Sequence, residues 1–303
     1  MLWFIIALLG YTAMAFVMVM DKFIVSKSVS KPVVYTFFST SIMAGALLIW
    51  PFLDTVFLSG YDWFWAVISG LSFGFGMWGL YTALKSGEAS HINPFNGAVV
   101  TVGVFVLASF ILHEQLWWWQ QVGIIFLVIA TILLSQEVSK KHHGFHRGFV
   151  WAIVSGLFFA LSHVTAKYLY DLYPFWTAFM WTRATTSLIA IPLFLYPSVR
   201  IALFRKKKQT NNYAKKYAGI IIAFDKIISL VAVILIQYAI SIGSVTMVNA
   251  LVGLQYLIMF AIILFFTKFH PRMFKEYITV HEVRREIIAL FLIVTGSIFF
   301  IFY

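Results

Sequence analysis

The sequence contains no cysteine and little charge: Asp, Glu, Lys and Arg make up 11% of its 303 residues. Without cysteine there is no disulfide framework and no thiol chemistry, and the redox compartment stays unread. The scarcity of charge excludes more. Soluble domains hold roughly 25% charged and 45–50% apolar residues, whereas here 62% are apolar and the mean hydropathy is +0.91. That balance excludes a water-soluble enzyme, a disordered chain and a nucleic-acid-binding domain. Acidic residues are the scarcest, 11 against 22 basic, for a net charge of +11. In a soluble chain such an excess suggests nucleic acid. In a membrane protein it reflects lysine and arginine collecting in cytoplasmic loops. No phosphate-binding GxxxxGK[ST] loop is present, which argues against an ATP-driven pump, and HExxH, CxxC and GxSxG are missing too. No enzyme, metal or cofactor is expected, and the cluster His142, His143 and His146 is a weak metal candidate.

What the chain does hold is length in apolar runs. At about 20 residues per transmembrane helix, the apolar content suits roughly nine or ten spans. Runs fall near 2–20, 33–53, 63–84, 91–112, 117–135, 149–168, 175–197, 217–241, 245–267 and 286–303. The first has no basic n-region and no clear cleavage site, so it is read as a membrane helix, not a signal peptide. Irregular backbone cannot face lipid, so the expected fold is an all-α membrane protein with ten transmembrane helices.

Charge sets the expected orientation. Loops after the odd-numbered spans hold 19 of the 22 basic residues; the other three, Lys167, Arg183 and Lys226, fall in or beside helices. The positive-inside rule then places those loops in the cytoplasm and both termini outside, with the plasma (inner) membrane as the expected location. Arg205 to Lys216 is a candidate contact for anionic lipid.

The two halves resemble each other. YTALKSGEASHIN from Tyr81 and YAISIGSVTMVN from Tyr238 align with one gap, matching Gly87 to Gly243, Asn93 to Asn249 and Gly97 to Gly253. Pro32 opens span 2 as Pro174 opens span 7, and Gly10 corresponds to Gly156. Five spans per half is odd, so the halves must insert in opposite senses, an architecture used by transporters with a midplane site. The expected units are 1–135 and 149–303, joined by a basic cytoplasmic linker, 136–148.

Residues 79–135 resemble the last three helices of an EamA-type domain. The shared pattern is a Tyr-x-Ala-Leu helix end, a proline-containing helix, a glutamate after span 4 and a glycine opening span 5: Tyr81, Pro94, Glu114 and Gly123. The second half is similar through Tyr238, Asn249, Gly253 and Gly296, and Arg183 sits where the family often has arginine. The resemblance implies a ten-helix member of the drug/metabolite transporter superfamily, secondary carriers that include many exporters. Three features depart from it. Ser41 stands at the repeat position of Arg183, span 9 has Gly253-Leu-Gln-Tyr256 in place of the family proline, and the family's termini are usually cytoplasmic.

Ionisable groups inside spans are costly and therefore candidates. Arg183 suits a substrate carboxylate or phosphate, or else a structural pairing inside the protein. Asp225 lies at a depth within about 5 Å of it by helical rise, so an Arg183–Asp225 ion pair is geometrically allowed. Lys226 is a candidate to snorkel. His163, Lys167 and Asp171 share a face at i, i+4 spacing, either a proton path or a hydrogen-bonded histidine below a Lys–Asp pair. Asn93 and Asn96 in span 4, and Asn249, Gln255 and Tyr256 in span 9, are polar at matched places and join the candidate substrate site. Phe73, Trp78, Tyr81, Trp176 and Trp181 are candidate cavity aromatics, while Trp63, Trp65 and Trp117-Trp118-Trp119 read as an interfacial belt. Glu88 and Glu114 are expected to be solvated.

The expected function is secondary active transport, with export the expected direction, of a small organic metabolite by alternating access between the two five-helix halves; the alternatives are flipping of a lipid-linked substrate and a membrane role without transport. The expected partners are a small-molecule substrate, with protons as candidate coupling ions, and the bilayer. The absence of native cysteine makes the orientation directly testable. Cysteines introduced at residues 114 and 210 are expected to react with impermeant thiol reagents from opposite sides of intact cells, 114 from outside. Reaction of 210 from outside would invert the orientation.

Overall fold

The computed structural model of the protein describes residues 2–24, 31–87, 89–135, 147–204, 218–269 and 280–301. Among them there are helices and connecting turns and no strand. The first half runs α1 (Leu2–Phe23), α2 (Pro32–Ile42) with a 3-10 continuation Met43–Ile49, α3 (Asp62–Ser86), α4 (Ala89–Ile111) and α5 (Trp118–Ser135). The second runs α6 (Arg147–Leu172), α7 (Phe175–Thr186) with the 3-10 turn Ser187–Ile189, α8 (Ala190–Phe194), α9 (Pro197–Phe204), α10 (Ala218–Ile242), α11 (Val245–Ala250), α12 (Val252–Phe269) and α13 (Val280–Ile301).

Six stretches are long and apolar enough to cross a bilayer: Leu2–Lys22, Asp62–Ser86, His91–Ile111, Arg147–Leu172, Ile220–Ile242 and Val245–Phe269. A further candidate, Phe175–Phe194 with Pro197–Phe204, is bent by 98°, and Pro32–Leu48, Trp118–Leu134 and Ile287–Phe299 are shorter apolar helices. The protein is therefore an all-helical, multi-pass membrane protein.

Several spans that read as continuous in sequence are irregular, for local reasons. Pro192 cannot donate to the Leu188 carbonyl, and the preceding turn tightens to 3-10 at Ser187–Ile189. Pro197 disfavours helical backbone at Tyr196, where the 98° bend falls. Between α11 and α12 the Leu251 amide is shared between the carbonyls of Met247 and Val248, at 3.3 and 3.2 Å. The Asn249 side chain takes the Val245 carbonyl at 2.8 Å, a local bond of the kind that competes with regular helix. Helix starts are conventional: Pro32 stands at N1 of α2, and Ser244 Oγ caps α11 by accepting the Met247 amide at 3.0 Å.

Packing brings the two halves into intimate contact. α3 lies along α6, α1 along α10 and α5 along α13, while α4 packs on α5 and α6. Hydrocarbon gives helices no hydrophobic reason to associate, so small residues and hydroxyl bonds carry the contact. Ser155 Oγ donates to the Gly76 carbonyl at 2.7 Å, Ser69 Oγ to the Ser162 carbonyl at 3.0 Å, and Thr185 Oγ1 to the Ala66 carbonyl at 2.7 Å. Gly70 permits the closest approach: a Cβ there would overlap Thr185 Oγ1 and sit 2.5 Å from the Thr185 carbonyl carbon. Backbone cannot move aside as a side-chain tip can. Gly70→Val is expected to destabilise the detergent-solubilised protein by about 1–3 kcal/mol, read as a lower melting temperature. Gly60→Ala, in open space, is expected to leave it unchanged.

Candidate functional site

Two buried polar centres stand out, at different depths. The first surrounds Arg183, in the last α-helical turn of α7. The residue is 3% exposed, and its Nε, Nη1 and Nη2 have no hydrogen-bond partner among the described residues. Its Cζ lies 4.2 Å from the Phe73 ring centroid and 5.9 Å from that of Phe179, a cation–π contact that offsets part of the desolvation. His163 and Tyr170 of α6 lie within its electrostatic reach. Asn249 is oriented by its amide bond to Val245, so its Oδ1 accepts from His163 Nδ1–H at 2.7 Å. The Tyr170 hydroxyl donates to Gln237 Oε1 of α10 at 3.0 Å. Residues of α3, α6, α7, α10 and α11 thus build this centre where the halves meet.

The second centre lies nearer the end of the bundle that carries the basic loops. Asp225, 0% exposed, pairs with the adjacent Lys226 at 2.9 Å, and Lys226 also reaches Asp21 of α1 at 3.4 Å. The Tyr35 hydroxyl of α2 lies 2.5 Å from Asp21 Oδ1 and 3.0 Å from Asp225 Oδ2. Lys226 Nζ also lies 4.6 Å from the Tyr35 ring centroid, and Tyr81 packs its ring at 4.6 Å on Tyr35.

The allowed Arg183–Asp225 ion pair is not formed, because Lys226 and Tyr35 hold Asp225 locally and leave Arg183 without a carboxylate. Lys226 does not snorkel; two carboxylates hold it. The line His163, Lys167, Asp171 divides into the hydrogen-bonded histidine and a Lys167–Asp171 pair at 2.8 Å. Of the other sequence candidates, Asn96 Nδ2 donates to the Ala152 carbonyl at 2.7 Å, and Asn93 and Gln255 aim their amides at the sulfurs of Met259 and Met18, at 3.4 and 2.9 Å. Tyr256 is buried with its hydroxyl against Gly97. Trp78 packs edge-on to Tyr196 at 5.8 Å, beside Val33 and Leu193. Glu114 is not simply solvated: its Oε2 accepts from the Thr246 hydroxyl at 2.6 Å. Glu88, the histidine cluster and Arg205–Lys216 lie outside the described residues.

The opposite end is closed by the segment between α2 and α3. Trp181 Nε1 donates to the Val56 carbonyl at 2.9 Å, and Asp62 accepts the hydroxyls of Tyr173 and Ser59 at 2.6 and 2.7 Å. Trp63, read from sequence as belt, instead packs on Trp181 at 4.6 Å, and Trp50 meets the same ring at 5.3 Å. Trp117 and Trp118 are exposed. An apolar groove of about 590 Å³ runs elsewhere, along α4, α5 and α6, past Phe95, Val99, Val102 and Leu157.

Sequence reading missed Asp21, Tyr35, Tyr170 and Gln237. Asp21 carried a signal, a carboxylate at the edge of an apolar run; the other three are polar residues among many in helices and carried none.

Comparison with known proteins agrees with this architecture. Residues 1–136 match the model of the EamA-like transporter family, in agreement with the resemblance read from residues 79–135. One solved structure, titled only as the crystal structure of a protein, aligns with a TM-score of 0.64 at 13% identity. The alignment covers 98% of this chain and 94% of that one, a likeness of fold alone. No curated protein matches the chain.

Lys226 is the cation that faces both Asp21 and Asp225. Lys226→Met is expected to cost about 3–5 kcal/mol of stability, measured by thermal unfolding in detergent. Adding Asp21→Asn is expected to recover part of the loss.

Proposed function

We propose that the protein is a secondary active transporter, working as an exporter, for a small organic metabolite bearing a carboxylate or phosphate. One observation carries this reading: a guanidinium 3% exposed, with three nitrogens that have no hydrogen-bond partner among the described residues. A buried charge without a partner is strongly unfavourable, and an arginine inside a membrane span is a functional candidate by default. A carboxylate or phosphate supplies two parallel charge-assisted bonds and removes that penalty. His163, Asn249, Tyr170 and Gln237 offer polar groups around it, and Phe73 and Phe179 provide apolar wall.

The carrier would work by rocking one five-helix half against the other. Matched irregularities support a ten-span inverted repeat. α2 and α7 run for 11 and 12 residues and each passes into a 3-10 turn. Span 4 holds an internal proline, Pro94, where span 9 breaks beside Asn249. Exchanging the halves maps the α3–α6 contact onto α1–α10. The six long spans, the bent one and the three shorter apolar helices together make ten. Basic-loop counting supports external termini, in an inner membrane.

A second reading, a flippase for a lipid-linked anion, draws on the apolar groove beside α4, α5 and α6, which would receive an acyl chain.

The test is a thermal-shift screen of the purified protein against inorganic phosphate, sugar phosphates, amino acids, nucleotides, cationic drugs and lipid precursors. A ligand at 100 times its Kd stabilises by ~2.7 kcal/mol. Anionic hits that vanish in Arg183→Ala are expected. Hits confined to lipid precursors favour the flippase, and hits indifferent to Arg183 overturn the site. In proteoliposomes Arg183→Ala is expected to lower transport far more than folded yield. Equal losses would make the arginine structural.

A further inference from the structure

The Asp21, Tyr35, Asp225 and Lys226 centre plays no part in anion binding as described, yet its geometry has a chemical consequence. The Tyr35 hydroxyl has a single hydrogen, but its oxygen lies 2.5 Å from Asp21 Oδ1 and 3.0 Å from Asp225 Oδ2. It donates to one carboxylate only. The other approach would set oxygen lone pairs against each other unless that carboxyl carries a proton of its own. Charge and burial say which. Asp21 is the more exposed carboxylate, 11% at its side chain against 0% for Asp225. Asp225 Oδ1 is buried with no hydrogen-bond partner among the described residues, a state that is costly for an ionised carboxylate and much less so for the carbonyl oxygen of a neutral carboxyl. With both carboxylates ionised, the cluster with Lys226 has a net charge of −1; one proton makes it neutral.

We propose that Asp225 is a proton-binding site and that its proton is the carrier's coupling ion. In this arrangement Asp225 Oδ2, which also accepts from Lys226 Nζ at 2.9 Å, carries the proton and donates it to the Tyr35 oxygen, while Tyr35 donates to Asp21. The titratable groups facing Asp225 among the described residues are Asp21 of α1, Tyr35 of α2, Tyr81 of α3 and the neighbouring Lys226; Lys22 is directed to the carbonyls of Leu84 and Gly87. Release breaks the Asp225 O–H bond: the proton passes to the Tyr35 oxygen as Tyr35 gives its own to Asp21, and Asp21 hands that proton to water at the basic-loop end. It leaves −1 on the cluster, with the single Tyr35 hydrogen between two ionised carboxylates, so one of the two Tyr35–carboxylate contacts becomes repulsive. α2 then loosens from α1 and α10, and that end of the bundle opens. The coupling role rests on the transporter reading; proton occupancy does not.

Both parts are testable without a substrate. Infrared difference spectra of the full chain in liposomes, recorded across pH, are expected to show the carbonyl stretch of a protonated carboxyl that disappears as pH rises. The band should be lost in Asp225→Asn, kept in Asp171→Asn and displaced in Asp225→Glu, a variant that serves if the amide fails to fold. No titrating carboxyl band, or one lost in Asp21→Asn but kept in Asp225→Asn, overturns the site. For coupling, a cysteine replaces Ser39, which is 3% exposed on α2 one turn from Tyr35. Its alkylation rate is normalised to that of Gly60→Cys. The ratio is expected to rise several-fold as the band disappears, and not in the Asp225→Asn background. A ratio that ignores the band's midpoint overturns the coupling, whatever the transport screen finds.

Discussion

Hydrocarbon offers neither donors nor acceptors, so each polar group within a span needs a partner inside the chain. Most of this structure meets that demand with short local solutions. Thr12, Thr82, Thr101, Thr131 and Thr165 return their hydroxyls to carbonyls four residues back. Ser69, Ser155 and Thr185 reach across to neighbouring helices and in doing so stitch α3 to α6 and α7. Against that background an unsatisfied group carries information.

Arg183 is the strongest departure. Aromatic faces surround a cation to which no described residue offers an oxygen, an arrangement that stabilises charge partially and leaves the directional bonds open. Its neighbours differ: Asn249 and Gln237 each accept from a specific donor. The centre sets oriented polar groups beside a guanidinium whose nitrogens have no hydrogen-bond partner among the described residues, and the proposed anion site rests on that pairing.

The two ends of the bundle are tied by different chemistry. Opposite the basic loops, Asp62 gathers the hydroxyls of Ser59 and Tyr173, and Trp181 anchors the Val56 carbonyl. At the basic end, α1, α2 and α10 meet through two carboxylates, one lysine and one tyrosine. Hydroxyls gathered on a single carboxylate and aromatic packing make one tie; two carboxylates sharing one lysine and one tyrosine make the other.

Much of this was legible in the amino-acid order. Apolar runs of bilayer length announce membrane helices because no water-soluble core could absorb them. The Tyr81 to Gly123 pattern carried the resemblance that the match over residues 1–136 bears out. Arg183 was visible because a charge amid apolar residues is costly wherever it lies. Partner choice was not visible. Arg183 and Asp225 read as natural companions by depth, yet Asp225 is held by Tyr35, 190 residues away in sequence. Trp63 reads as belt from its place at a helix end, and only packing turns it toward Trp181. Hydropathy and spacing along one chain determined which segments enter the membrane and which charges they carry there. Helix rotation and the crossing of distant spans decided which of those charges meet, because a side chain's partner depends on the face it presents, and in lipid that face is chosen by close packing between helices.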